Sequence, residues 1–268
     1  MSSLVIESGR PISYDVQGSG RPVLFIPGLC ERRSVWEPVI QELSGICLAI
    51  KYDLRGYTGD EPGDFTIADL SHDAASFLRT MAVGPAAIVG HSEGGFIALE
   101  LALAQPELVS GVAIISSASY TDEYGRRLLT HWREVAEGLG MKALGREMLL
   151  WGFSPGYVNA QRRELRLLES FSKDQAAPLN AYLAHNRACM NYDTRARLPS
   201  LTTPTLLMGG TADIVMTLRH NLLLRDLIVG SGLTSFEGFG HHLLAEAPNE
   251  ICQALRLFLR EPHLQNAQ

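Results

Sequence analysis

Ala86-Ala87-Ile88-Val89-Gly90-His91-Ser92-Glu93-Gly94-Gly95-Phe96 is the stretch whose reading decides the fold. Four apolar residues closed by a glycine read as a buried strand, and Phe96 to Gln105 carries a helix-like pattern. Between them Gly90-His91-Ser92-Glu93-Gly94 places a G-x-S-x-G pattern on a strand-to-helix turn. A serine hydroxyl is a poor nucleophile at neutral pH, so it needs exposure at a sharp turn, a base to take its proton and donors for the oxyanion that forms. The turn supplies the exposure and makes Ser92 the candidate nucleophile. Gly90 and Gly94 allow the backbone to turn tightly, and Gly94 with Gly95 lets the following helix approach the sheet. A glycine-rich turn around a serine also occurs as a plain connection; the flanking periodicity favours the catalytic reading.

Outward from this turn, short apolar runs bounded by Gly or Pro recur at Val23-Ile26, Ile46-Ile50, Val112-Ile115 and Thr205-Met208. Each is too short for a helix and continuous where a half-exposed strand would alternate, the pattern of buried parallel strands. Helical patterns fall between them, at Ile67 to Met81, Gly95 to Gln105 and Ala247 to Leu259. This alternation predicts a parallel sheet covered on both faces. Leu4-Glu7 and Ile12-Val16, around Ser8-Gly9-Arg10-Pro11, predict an antiparallel hairpin at the sheet edge. From about Ser119 to Pro199 the alternation stops. Leu128, Trp132, Val135, Ala136 and Leu139 share one helical face there, as do Leu165, Leu168 and Phe171. We therefore expect a core of residues 1–118 and 200–268 and a helical cap of residues 119–199, inserted after one strand and roofing the pocket.

The chain has 268 residues, 46% of them apolar and 19% charged, enough for one large core. A net charge of -6 without a dense Lys/Arg cluster argues against nucleic acid as a partner. Arg126-Arg127 and Arg162-Arg163 read as solvated helix faces. The beginning of the sequence lacks a positive leader with a long apolar stretch, and no window reaches the roughly 18 apolar residues of a membrane span, so a cytoplasmic protein without a membrane partner is expected. Cys30, Cys47, Cys189 and Cys252 are widely spaced, with no C-x-x-C or Cys/His cluster, and read as reduced residues with neither zinc nor a disulfide framework. Monomer and homodimer both remain open.

A serine nucleophile on such a sheet calls for an Asp or Glu and then a His later in the chain. Asp213 follows Thr205-Met208 through Gly209-Gly210-Thr211-Ala212, and His241 follows Thr234-Phe236 through Gly238-Phe239-Gly240. Loops at the carboxyl ends of parallel strands face the same way, so the three side chains can converge. His242 competes with its neighbour for the part of base. His72, His131, His185, His220 and His263 read as surface or packing residues, and His91 as a residue that shapes the turn by hydrogen bonding. For the oxyanion, the N–H of Glu93 is one expected donor and the N–H of Leu29, in the loop after Val23-Ile26, the other. Cys30, Trp132, Trp151, Phe153, Tyr157 and His242 are candidate pocket residues.

From about Pro22 to Leu259 the chain resembles the α/β-hydrolase family. The resemblance rests on Ile26-Pro27-Gly28 at the oxyanion loop, Asp53-Leu54-Arg55-Gly56-Tyr57 as a D-x-R-G-x turn, and Gly90 to Gly94 as the nucleophile elbow. Gly209 to Asp213 looks like the acid loop, and Gly240-His241 with Glu246-Ala247-Pro248 looks like the G-H-x-x-x-x-E-x-P ending. That last register selects His241 over His242. Asn191-Tyr192-Asp193 and the cap length look most like the small capped hydrolases similar to 3-oxoadipate enol-lactonase. The resemblance implies a cofactor-free Ser92-Asp213-His241 hydrolase with an acyl-enzyme, acting on a small or medium, mostly apolar carboxylic ester or lactone. Carbon-carbon bond hydrolysis with the same triad, or a slow-turnover ligand sensor, are the rival expectations. Serine at 92 argues against the dehalogenase and epoxide hydrolase members, which use aspartate there. Two positions depart from the family pattern: Pro27 replaces a histidine, and Glu93 replaces an apolar residue. We expect the Glu93 carboxylate to be paired beneath the elbow rather than to face the acyl site.

Overall fold

The computed structural model describes residues 2–58, 60–161 and 177–260. The expected stripe at Leu165, Leu168 and Phe171, the Arg162-Arg163 pair, His263 and the residues after Arg260 lie outside these. Eight strands form one sheet: β1 (Ser2–Val5), β2 (Pro11–Gly18), β3 (Arg21–Ile26), β4 (Cys47–Tyr52), β5 (Ala86–His91), β6 (Val109–Ile115), β7 (Thr205–Gly210) and β8 (Gly232–Phe236). Their order is β1-β2-β4-β3-β5-β6-β7-β8. Strands β3 to β8 run parallel, while β1 and β2 form the antiparallel edge that the first sixteen residues suggested.

The continuous apolar runs are explained by burial on both faces. Leu24 and Ile26 of β3 point into one core, with residues of α2 (Ile67–Thr80) and α3 (Glu93–Ala104). Val23 and Phe25 point into the other, with α1 (Glu37–Glu42) and the C-terminal Pro248–Leu259 helix. Period-two alternation thus serves two apolar layers instead of one apolar and one wet face. Local signals set the helix start at α2: Thr66 Oγ1 accepts from the Asp69 N–H at 3.3 Å and Asp69 Oδ2 accepts from the Thr66 N–H at 2.8 Å, a reciprocal capping box.

Between β6 and β7 the chain leaves the sheet through a narrow neck. Tyr120 and Asp193 form an isolated antiparallel bridge, Thr121 N–H donates to Tyr192 O at 3.0 Å, and Thr194 N–H donates to Ser119 O at 2.9 Å. Beyond it lie α4 (Glu123–Leu139), α5 (Met141–Gly152), α6 (Pro155–Ala160) and α7 (Leu179–Met190). Gly140, at φ +84°, breaks α4 from α5. The stripe on α4 buries Leu128, Trp132 and Ala136, but Leu139 is 74% exposed, because the chain turns away at Gly140 before that residue can reach the core. The short α1 and the helix Leu218–Leu227, α8, had no strong sequence pattern; the last two helices, Leu243–Glu246 and Pro248–Leu259, are α9 and α10.

The elbow is the tightest junction of the fold. A Cβ on Gly94 would lie 2.2 Å from Ile26 O, and one on Gly90 would lie 2.2 Å from Gly94 O. Neither obstacle is a side chain that can swing aside. Gly94→Ala is therefore expected to destabilise the protein by about 2–3 kcal/mol, read as a lower urea midpoint; a loss below about 0.5 kcal/mol, the range of an indifferent surface change, would contradict this packing.

Candidate functional site

Ser92, Asp213 and His241 meet at the carboxyl ends of β5, β7 and β8. Ser92 holds φ +53° and ψ −116°, a conformation that costs a non-glycine residue about 1–3 kcal/mol and persists only where its surroundings impose it. Those surroundings are visible: Ser92 N–H donates to Ile115 O at 2.9 Å, and Ser92 O accepts from Ser117 Oγ at 2.7 Å and from Gly95 N–H at 2.9 Å. His241 Nε2 stands 3.1 Å from Ser92 Oγ, and His241 Nδ1 stands 2.9 Å from Asp213 Oδ2. The other Asp213 oxygen, Oδ1, accepts the N–H groups of Val215 and Met216, each at 2.8 Å. With the carboxylate fixed, Nδ1 is the donor toward Asp213 and Nε2 is left as the acceptor toward Ser92. The loop that carries His241 is pinned too: His241 N–H donates to Gly152 O at 2.7 Å, and Glu246 Oε1 accepts from Gly240 N–H at 3.1 Å and Ser154 N–H at 2.9 Å.

A cavity of about 440 Å³ opens over Ser92 and His241. Leu29, Cys30, Phe153 and His242 line it, together with Met141, Leu144, Met148 and Leu149 of α5. Leu29 follows β3 and Glu93 opens α3, where the first N–H groups of a helix have no intrahelical acceptor. Three expected pocket residues are not among the lining ones. Trp132 is 5% exposed in the main core, the Trp151 indole N–H is drawn to Glu147 at 3.2 Å, and Tyr157 stacks behind Phe153 at 4.8 Å. The α5 residues had a legible signal, an apolar spacing of three and four from Met141 to Leu149, which the aromatics overshadowed.

Two more histidine-carboxylate pairs flank the elbow. Glu93, 1% exposed, does turn beneath it: Oε1 lies 2.7 Å from His185 Nδ1 on α7, whose Nε2 donates to Arg55 O at 2.9 Å. Because that Nε2 faces a carbonyl and Nδ1 faces a carboxylate, a proton lies between His185 and Glu93. His185, expected at the surface or in packing, is fully buried, and it is also the polar partner that the buried Glu93 carboxylate needs. On the other side, His91 Nδ1 lies 2.9 Å from Glu31 Oε2. Burial alone would raise the Glu31 carboxyl, but the charge and hydrogen bond of His91, with the Gly28 N–H, hold it at about 2. His242 has the opposite fate: burial is the main cause that brings it down to about 4, with His241 and His91 adding to the descent against Glu31 and Asp213. Glu31, His91 and His242 have potential ligand atoms within 4.8 Å of one another, but a metal cation there would have to displace the proton that His91 and Glu31 share.

The family model described as "Alpha/beta hydrolase family" matches residues 23–254. The chain belongs to the alpha/beta hydrolase family. A curated relative, "Putative carbamate hydrolase RutD" of Azorhizobium caulinodans, is 26% identical over 257 residues, 92% of this chain and 94% of its own. Among solved structures, the enol-lactonase from Burkholderia xenovorans LB400 aligns with a TM-score of 0.88 at 22% identity, over 97% of this chain and 100% of that one. Est816, described as an N-acyl homoserine lactone degrading enzyme, aligns at 0.83 with 27% identity, over 95% and 99%. As an alpha/beta hydrolase the protein is an enzyme of hydrolysis.

Two outcomes test the electrostatics of the site. Replacing His185 by Ala leaves Glu93 buried without its partner and is expected to cost about 3–5 kcal/mol in chemical denaturation. The His242 value, lowered in the fold from 6.5 to about 4, means that between those pH values the unfolded chain binds the extra proton. Stability from this group is therefore complete above about pH 6.5 and is lost as pH falls toward 4. The His242→Gln variant is expected to show a shallower loss of stability across that window, and an unchanged slope would refute the assignment.

Proposed function

We propose that the protein hydrolyses small or medium, mostly apolar carboxylic esters or lactones through a Ser92-His241-Asp213 triad and an acyl-enzyme. The observation that carries this reading is the continuous chain from Ser92 Oγ through His241 to the twice-bonded Asp213, opening on a cavity with an apolar wall. Asp213 holds His241 in the tautomer whose Nε2 takes the Ser92 proton. Ser92 Oγ attacks the carbonyl carbon, and the tetrahedral oxyanion is received by the Leu29 and Glu93 N–H groups. His241 then returns the proton to the leaving alkoxide, which departs as alcohol or stays attached as the opened end of a lactone. A water deprotonated by His241 repeats the attack on the acyl-enzyme and releases Ser92.

The helical excursion of residues 119–199 is, in this reading, a cap on a core of residues 1–118 and 200–268. Its α5 supplies the apolar wall that selects the acyl or alcohol group by size, since Met141, Leu144, Met148 and Leu149 offer dispersion contacts and no charge. The two lactone-cleaving neighbours support hydrolysis of a carboxylic ester bond, and the name of the RutD relative makes a carbamate the one additional bond type to assay.

The test is multiple-turnover hydrolysis of activated esters, lactones and carbamates of graded length by the wild type and Ser92→Ala, with labelling of each by a fluorophosphonate. Ser92→Ala is expected to keep the circular dichroism of the wild type, to escape labelling and to lose at least about a thousandfold in kcat. Labelling or substantial turnover that survives the substitution would remove Ser92 from the mechanism, and rapid turnover of carbamates alone would replace the substrate class.

A further inference from the structure

The oxyanion loop and the base loop are joined by a pair that the triad does not use. Glu31 Oε2 accepts the Gly28 N–H at 2.6 Å and faces His91 Nδ1 at 2.9 Å. The other nitrogen of the same ring, His91 Nε2, meets His241 O at 3.1 Å. A carbonyl oxygen only accepts, so Nε2 carries hydrogen; an oxygen already receiving one N–H at hydrogen-bond distance is best met by a second donor, so Nδ1 carries hydrogen as well. These contacts make His91 an imidazolium and Glu31 a carboxylate, with side chains 1% and 12% exposed. Burial would by itself lower His91, yet the Glu31 charge and hydrogen bond, helped by the His241 carbonyl and by Asp213, raise it above the usual histidine value. The neighbouring rings, His241 and His242, lie 5.2 and 6.2 Å from it between centroids.

The position of the carboxylate gives the pair its consequence. A Cβ on Gly28 would lie 3.0 Å from Glu31 Oε2 and 3.1 Å from Ser92 Cβ, so Glu31 and Ser92 flank the same glycine, one residue before Leu29. A bare carboxylate in this wall would repel the negative charge that develops on the substrate oxygen.

We propose that Glu31 and His91 are positioning residues, an imidazolium-carboxylate clasp that holds Gly28, and with it the Leu29 N–H, against Ser92 while it holds the His241 backbone. The His91 charge has a second part in this device, because it neutralises the carboxylate next to the oxyanion. The clasp acts through Gly28 and His241 and takes no proton from substrate; as a device for hydrolysis it rests on the Ser92 reading above.

The experiment measures kcat, KM and the affinity of an alkylboronic acid for wild type, Glu31→Gln, His91→Gln and the double variant. A boronic acid forms a tetrahedral anionic adduct with serine and so reports the oxyanion site directly. His91→Gln strands the carboxylate and is expected to lower kcat about a hundredfold, with KM within about threefold and boronate affinity falling in parallel; Glu31→Gln is expected to lower kcat about tenfold. The double variant, free of the stranded charge, is expected to exceed His91→Gln in kcat. Single variants with unchanged kcat and boronate affinity, or a double variant whose loss is the product of the two, would overturn the clasp. Should His91→Gln not fold, 15N titration of the His91 ring in the wild type decides instead. Both nitrogens protonated up to a midpoint above about 6.5 is the expected result, and a neutral ring at about pH 6 overturns it. That titration needs no turnover, so a wild type inert to esters and fluorophosphonate would discredit the hydrolase reading and leave the clasp to be judged by its protons.

Discussion

Close approach of backbone to backbone at the end of β5 is the constraint on which the rest of the site depends. A Cβ at Gly90 would strike Gly94 O, one at Gly94 would strike Ile26 O, and one at Gly95 would come within 2.5 Å of Ser117 Oγ. The elbow is thus pressed against the ends of β3 and β6 at once. The strained φ of Ser92 is imposed by these contacts, and all six residues of β5 are buried, so the sheet supplies the burial energy that holds the strain. The same compression brings the loop after β3 beside Ser92: a Cβ on Gly28 would lie 3.1 Å from Ser92 Cβ.

Three buried histidine-carboxylate pairs surround this junction, and the second nitrogen of each ring separates their tasks. In His91 and His185, Nε2 is tied to a backbone carbonyl, of His241 and Arg55 respectively. In His241 it is turned toward Ser92 Oγ. A ring tied at Nε2 to a carbonyl keeps that nitrogen as a donor, whereas the His241 Nε2 faces a hydroxyl that can donate to it. The three rings thus differ by hydrogen-bond partner rather than by residue type. The two committed rings join parts of the chain that no strand pairing joins: His91 links the β3 and β8 loops, and His185 fastens α7 to the first turn of α3.

The central strands, and the placing of Ser92, Asp213 and His241 on loops at strand ends, were legible in the sequence because each depends on local pattern. Doubly buried strands need continuous apolar runs, and the turn glycines mark the loops that carry Ser92, Asp213 and His241. The Glu93 pairing was anticipated because a carboxylate at that buried turn cannot stand alone. Its partner was not, since His185 lies 92 residues away, and nothing local distinguishes it from a surface histidine. Aromatic content misdirected the pocket reading: Trp132 is consumed by the core and Trp151 by Glu147, and size alone does not tell which way a helix face turns. The short α1 and α8 escaped for a related reason, because their burial comes from tertiary packing more than from a periodic stripe.

The attachments of the helical excursion separate the geometry of the elbow from the shape of the cavity. The excursion closes on itself at the Tyr120-Asp193 neck and meets the core at polar contacts, Glu93-His185 and the Glu246 contacts to Ser154 and Gly240, and at apolar ones, such as the stacked Phe96 and Tyr192 rings 4.2 Å apart. The cavity wall is drawn from Met141 to Leu149 of α5, whose apolar side chains face the cavity. Substitutions of similar polarity at Met141 or Met148 reshape volume against a flexible, dispersion-bound surface and leave every attachment intact. The polar contacts at Glu93, His185 and Glu246 and the apolar side chains that face the cavity are thus different residues, and a change in the wall leaves the elbow's own contacts in place.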